Sequence, residues 1–140
     1  MPGLKGGIFE SRFSIVISGD NLPLDSFGKE LDLTPTRMMR RGDPLKRGVP
    51  LLTAHDEWLY TVPTHDSVGP DSAVNELLNH LMQHRDALKK LSATYDVKLR
   101  LYVQSDYAQM SFFLSPETMK NVIALDMPLE ISSLSWGEVF

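Results

Sequence analysis

The sequence predicts an α+β fold: three βαβ-type units building a mixed or mostly antiparallel sheet, with helices packed on one face, ferredoxin-like in character. Three observations carry this expectation. Apolar and polar residues alternate in separate runs around Ile15, Tyr60 and Leu99, the period of a strand with one buried face. Between those runs, apolar residues recur at helical spacing, most clearly from Val74 to Leu91. Proline or glycine stands at nearly every change of period.

The first strand lies within Phe9 to Ile17, where Phe13, Ile15 and Ile17 share one face. Ser18-Gly19-Asp20-Asn21 is turn chemistry, with Asp or Asn suited to cap the helix that follows. In that helix Pro23 fits the first turn, and Leu24, Phe27 and Leu31 form one stripe. Pro35 disfavours helical geometry at Thr34, which ends the helix near Asp32 or Leu33. Thr36 to Arg40 has a poor strand pattern and reads as an edge. Trp58, Tyr60 and Val62 then share a face in a clear strand closed by Pro63. The longest helix is expected from Asp71 to Leu91. Val97, Leu99, Leu101 and Val103 alternate with Lys98, Arg100, Tyr102 and Gln104, giving one dry and one wet face. A turn over Ser105 to Gln109 and a returning strand with Met110, Phe112 and Leu114 would complete a hairpin. Ser115-Pro116-Glu117 starts a helix with a buried stripe of Met119, Val122 and Ile123, and a last strand opens at Leu129.

Length and composition bound the class. The chain has 140 residues, 42% hydrophobic and 23% charged, enough for one domain with its own core. The expected division is a flexible lead-in over residues 1–12 and a single α+β domain over 13–140. A net charge of −4 disfavours nucleic acid as the main partner. The absence of cysteine excludes disulfides, thiol catalysis and thiolate metal sites, and fits a reducing compartment. The N-terminal MPGLKGGIFESRF has no apolar core of a secretory signal, and no apolar run nears the ~18 residues of a spanning helix. A soluble cytoplasmic protein that does not engage membranes is expected.

The strand FSIVISG, the Leu22-Pro23 helix start, the LDLTPT exit and Gly42-Asp43 resemble the opening of the DUF4279 family. The Trp58 strand, the helix holding His80-Leu81 and the SPETMKNVIALDMPLEIS ending follow in the family's order and spacing, so the resemblance covers residues 12 to 133. It departs at Asp32, where the family usually has glycine. The resemblance implies a small stand-alone bacterial protein from a family without an established activity. For some members it implies an immunity-type role, neutralising a toxin by binding it.

Arg37, Arg40, Arg41, Lys46 and Arg47 set five cations against one acid, Asp43, within eleven residues. In an acidic chain this is a candidate surface for an acidic partner or a phosphate, with Trp58 nearby; the alternative is a solvated loop that protects an edge strand. Glu76, His80 and His84, spaced four apart, could line one helix face as metal ligands, but the H-E-x-x-H pattern is absent and solvated histidines are the better reading. Tyr102, Tyr107, Phe113 and Trp136 fall off the core face or in turns. The chain lacks G-x-S-x-G and Gly-rich phosphate motifs, so catalysis and cofactors are not expected. Two functions follow as expectations. One is a protein-binding module, of the toxin-neutralising kind. The other is a domain sensing a small molecule at a helix–sheet or subunit interface. A homodimer through the Thr36 edge or the last strand is compatible with both.

Overall fold

A computed structural model describes residues 10–44, 51–64, 70–107 and 112–138. Within them the chain runs β1 (Glu10–Gly19), α1 (Leu24–Leu31), β2 (Arg37–Met39), β3 (Asp56–Pro63), α2 (Asp71–Met82), α3 (Arg85–Thr94), β4 (Asp96–Tyr107), α4 (Pro116–Leu125) and β5 (Leu129–Glu138). These elements form an α+β architecture, a five-stranded mixed sheet in the order β2-β3-β1-β4-β5 with four helices. β1 is antiparallel to β3 and β4, and β2 to β3, whereas β4 and β5 run parallel. It follows that β1 and β2 point the same way with β3 between them. β3 and β4 likewise point the same way, with β1 between them.

Register decides which face is dry. Phe13, Ile15 and Ile17 stand opposite Val62, Tyr60 and Trp58 on one side and Leu101, Leu99 and Val97 on the other. That face meets Leu24, Phe27 and Leu31 of α1, Leu77, Leu78 and Leu81 of α2, and Leu88 and Leu91 of α3 in one core. Phe27 is its hinge, edge-on to both Trp58 (6.1 Å between centroids) and Tyr95 (5.5 Å). The opposite face carries Arg12, Ser14, Thr61, Arg100 and Tyr102, with Val16 a buried apolar exception.

Three described non-glycine residues, Asn21, Asp32 and Asp126, adopt left-handed backbone. Asp32 and Asp126 end α1 and α4 in the left-handed region, at φ 52° and 54°. Gly28 is needed for a different reason: a Cβ there would lie 2.7 Å from the Leu33 carbonyl oxygen. No side chain caps α1. Asn21 supplies a left-handed turn at φ 55°, and Pro23 stands at the N-cap without a side-chain bond.

Several expectations are corrected. β1 begins at Glu10, so residues 10–12 of the expected lead-in are strand; residues 1–9 lie outside the described part. The long helix is two, because Gln83 bonds back to His80 and Leu81 and His84 leaves helical geometry at φ −117°. The sequence carried that break as a gap, since the stripe skips from Leu81 to Leu88. Among the described residues no hairpin follows β4, which continues to Tyr107 and already has β1 and β5 at its two edges; Gln109 and Met110 of the expected hairpin lie outside the described part. Phe112 and Leu114 instead pack irregularly against the core. On α4, Met119 and Ile123 are exposed while Thr118 and Leu125 are buried. The helix is turned by its contact with α2, where Asn121 donates to Asn75 over 2.6 Å. No helix among the described residues is long and apolar enough to cross a membrane.

Candidate functional site

The cations of the arginine-rich exit take different directions. Arg40 lies against Asp56, whose side chain is only 6% exposed. Its Nη1 donates to Asp56 Oδ2 (2.9 Å) and to the Leu22 carbonyl (2.8 Å), tying the exit of α1 to the start of β3. The Asp56 carboxylate also accepts the amides of Arg41 (2.8 Å) and Leu22 (2.9 Å). The Arg41 amide, followed by Leu22 and Arg40, holds Asp56 below the usual carboxylate range against the opposing cost of burial. Arg40 is therefore a structural cation, while the Arg41 side chain is exposed. Asp43 closes the same turn by accepting the Arg40 amide (2.8 Å), and Thr53 pins the far side by donating to the Asp43 carbonyl. Leu51 and Leu52, at 61% and 60% exposure, sit beside this pinned turn. Lys46 and Arg47 lie outside the described residues.

Arg37 points elsewhere, onto the open face of the sheet. There it lines a groove of about 350 Å³ together with Arg12, Arg100, Tyr102, Ser14 and Thr61. Neighbouring strands hold these side chains in register: Ser14 faces Thr61 on one side and Arg100 on the other, and Arg12 faces Tyr102. The Ser14 and Thr61 hydroxyls bond at 2.7 Å, and the Arg12 guanidinium lies 4.7 Å above the Tyr102 ring. Arg100 donates to Glu130 on β5 at 2.7 Å, and Lys98 reaches the same carboxylate at 3.2 Å. These two bonds, Arg100 first, hold Glu130 below its usual pKa. Arg12 and Arg100 were missed as site residues by sequence reasoning. The polar positions of FSIVISG and of VKLRLYVQ held the signal, which becomes legible only once β1 and β4 are known to be neighbours.

Trp58 does not sit at a surface. It is 0% exposed, in the core beneath Phe27, because β3 has both neighbours and helices over that face. The expectation that it contacts a partner is corrected. Among the described residues no three His, Cys, Asp or Glu side chains are placed to hold a metal ion, so Glu76, His80 and His84 do not converge as ligands. His80 Nε2 instead donates to the Leu31 carbonyl (2.9 Å), satisfying the end of α1, and His84 stands at the break between α2 and α3. Glu76 and His80 do border a cleft of about 420 Å³ between α2 and β3, with Tyr60, Val62, Leu33 and Leu77. His55 lies 3.3 Å from Asp20 on the surface; His65 is outside the described residues. Of the aromatics, Tyr102 belongs to the open face and Phe113 is 72% exposed, while the side chains of Tyr107 and Trp136 are outside the described part.

No curated protein matches the chain. No solved structure does either. One family model does match, a domain of unknown function (DUF4279), over residues 9–136. That match spans nearly the whole sequence, from the start of β1 into β5, and the chain belongs to the DUF4279 family.

Proposed function

We propose that this chain is a non-enzymatic protein-binding module of the toxin-neutralising kind, which docks an acidic partner on the segment from Arg37 to Thr53. The observation that carries it is the pairing of charge with exposed apolar surface in that segment. It holds five of the chain's fourteen Lys and Arg residues and one of its eighteen acids. Leu51 and Leu52 project beside Arg41 from a turn braced by Asp43 and Thr53. Exposed apolar side chains beside a cation on a braced turn are the usual makings of a binding hot spot. The compartment is taken as the bacterial cytoplasm, which the absence of cysteine supports. The architecture reads as three βαβ-type units, ferredoxin-like in character with β5 added at one edge. The like-directed strand pairs β1/β2 and β3/β4, each split by an intervening strand, support that reading.

The test is capture from the source organism with tagged full-length chain, beside Arg41→Glu and Leu52→Asp variants. An acidic protein retained by the wild type and lost from both variants, with their circular dichroism unchanged, is the expected outcome. Equal retention by all three overturns the assignment. A second reading, small-molecule sensing, is favoured by the α2–β3 cleft, a helix–sheet site of ligand-like volume, about 420 Å³. A thermal-shift screen against metabolites separates the two. A reproducible shift abolished by Tyr60→Ala supports sensing, and a silent screen removes it.

A further inference from the structure

We propose that β5 is the interface of a symmetric dimer, in which the open edges of two copies pair antiparallel about a two-fold axis, flanked by the outer side of α4. This surface lies at the opposite end of the sheet from β2 and the docking segment, so the dimer presents two such segments outward.

The two edges of the sheet differ in kind. β2 is three residues long and is followed at once by Arg40 and Arg41, a short edge beside cations of the sort that resists pairing. β5 has ten residues and no lysine, arginine or proline, and no strand among the described residues pairs with its outer side. Glu130 is the one acid in its first eight residues, and it is bonded inward to Arg100 at 2.7 Å and to Lys98 at 3.2 Å on β4. Alternate backbone N–H and C=O groups of β5 thus face away from β4 without the charges that keep such edges apart.

An apolar flank adjoins this edge. β4 and β5 are parallel, so α4 runs back between them on the dry side of the sheet, where Leu125 joins the core. Asn121 turns one flank of α4 toward α2 through its bond to Asn75. Met119 and Ile123 stand about 160° around the helix from Asn121, on the flank away from α2, and are 49% and 76% exposed. Ile131, 55% exposed, pairs with Leu101 and therefore lies on the same dry side. Ile123 and Ile131 each stand three residues from the turn over 126–128 that joins their elements. The exposed apolar side chains of this half of the molecule gather along the β5 edge.

A second copy is the occupant that fits. Two like strands pairing antiparallel about a two-fold use one patch twice, so an edge without repulsive charge is complementary to itself. Each chain carries a net charge of −4, and two copies approach best where the acid present is already paired. The cations that a foreign acidic partner would select, Lys98 and Arg100, are taken by that same acid. The size suffices as well. A ten-residue edge is about 33 Å long. With the flank of α4 the contact covers about 500 Å² per copy, or about 1,000 Å² in total, the size that a specific interface should reach.

The experiment is sedimentation velocity of the full chain from about 1 μM to about 300 μM. The expected result is a mass that rises with concentration from the 15.8 kDa of one chain toward twice that value. Ile131→Lys and Ile123→Glu, both at exposed positions, should each weaken the dimer about tenfold or more with unchanged far-UV circular dichroism. Met38→Lys, exposed on β2, should leave it unchanged. Amide hydrogen exchange, compared at the two ends of the concentration range, should slow in β5 and not in β2 as the concentration rises. Two variants and the wild-type exchange read the same surface, so a variant that fails to fold leaves the others to decide. A chain of single mass up to about 300 μM overturns the proposal and leaves the edge to a different occupant. A dimer that survives both variants, or whose β5 exchange does not slow, overturns it too. Leu52→Asp should abolish capture of the acidic partner and keep the dimer, so failure of one surface is distinguishable from failure of the other.

Discussion

Replacing Trp58 tests whether it is a core residue with a misplaced polar atom or a surface anchor. Its indole is fully buried against Phe27, and its Nε1 has no hydrogen-bond partner among the described residues. Trp58→Ala removes most of a buried aromatic and should cost about 3–5 kcal/mol. That is a large part of the roughly 5–15 kcal/mol that holds such a domain together. Trp58→Phe is a different case. The smaller ring loses apolar volume worth two or three methylenes, about 2 kcal/mol at roughly 0.8 kcal/mol each. It also removes a buried, unpaired N–H whose desolvation costs about 1–3 kcal/mol. The two effects offset, so Trp58→Phe should stay within about 1 kcal/mol of the wild type. The assay is urea unfolding followed by far-UV circular dichroism, since the substitution removes a fluorophore. A cost below about 1 kcal/mol for Trp58→Ala refutes the core assignment. Equal costs for the alanine and phenylalanine variants refute the reasoning about the N–H.

Other perturbations separate scaffold from surface. Arg40→Glu should lower the melting temperature clearly, because it opposes Asp56 and frees the Leu22 carbonyl, whereas Arg41→Glu should leave it near the wild-type value. Thermal melts of the two variants side by side decide it, and equal melting temperatures would remove Arg40 from the scaffold. Asp32→Gly, at φ 52°, should stabilise by about 0.5–1 kcal/mol, the relief of a left-handed L-residue less the extra freedom of glycine in the unfolded chain. Chemical denaturation measures that gain, and a loss would contradict the C-cap reading. Asp56 and Glu130 titrate below their ordinary values in the folded state; Asp71 does too, where burial pushes up but bonds from Ser115 and Thr118 outweigh it. A lowered folded pKa gives stability that is complete above the unfolded value and lost as pH falls through the folded one. The urea midpoint should hold from neutrality to about pH 5 and fall below about pH 4, less steeply in Asp56→Asn.

Much of the fold was legible because period and punctuation are local signals. The alternation in FSIVISG and VKLRLYVQ, the stripe Leu24-Phe27-Leu31 and the Ser115-Pro116 start each became the element they imply, and Ser115 Oγ accepts the Thr118 amide at 3.2 Å. What failed depended on neighbours. The hairpin after Ser105 was plausible by pattern, but both edges of β4 are taken by β1 and β5. The inward face of α4 was set by its contact with α2 rather than by its most apolar side chains, which left Ile123 at 76% exposure. The site failed in the same way. A cluster of arginines close in sequence splits in space, with Arg40 drawn to Asp56 and Arg37 to the open face. Arg12 and Arg100, eighty-eight positions apart in the chain, come together on that face through strand pairing that no local window contains.

The central claim is that an acidic protein docks on the Arg37–Thr53 segment, and photo-crosslinking in the source cells tests it most directly. A photoreactive residue replaces Leu52, which is exposed beside the Asp43 turn, or Lys89, exposed on α3. The account predicts one heterologous, acidic crosslinked protein from position Leu52 and none from position Lys89. Equal yields from the two positions, or an adduct made only of two copies of this chain, would contradict it.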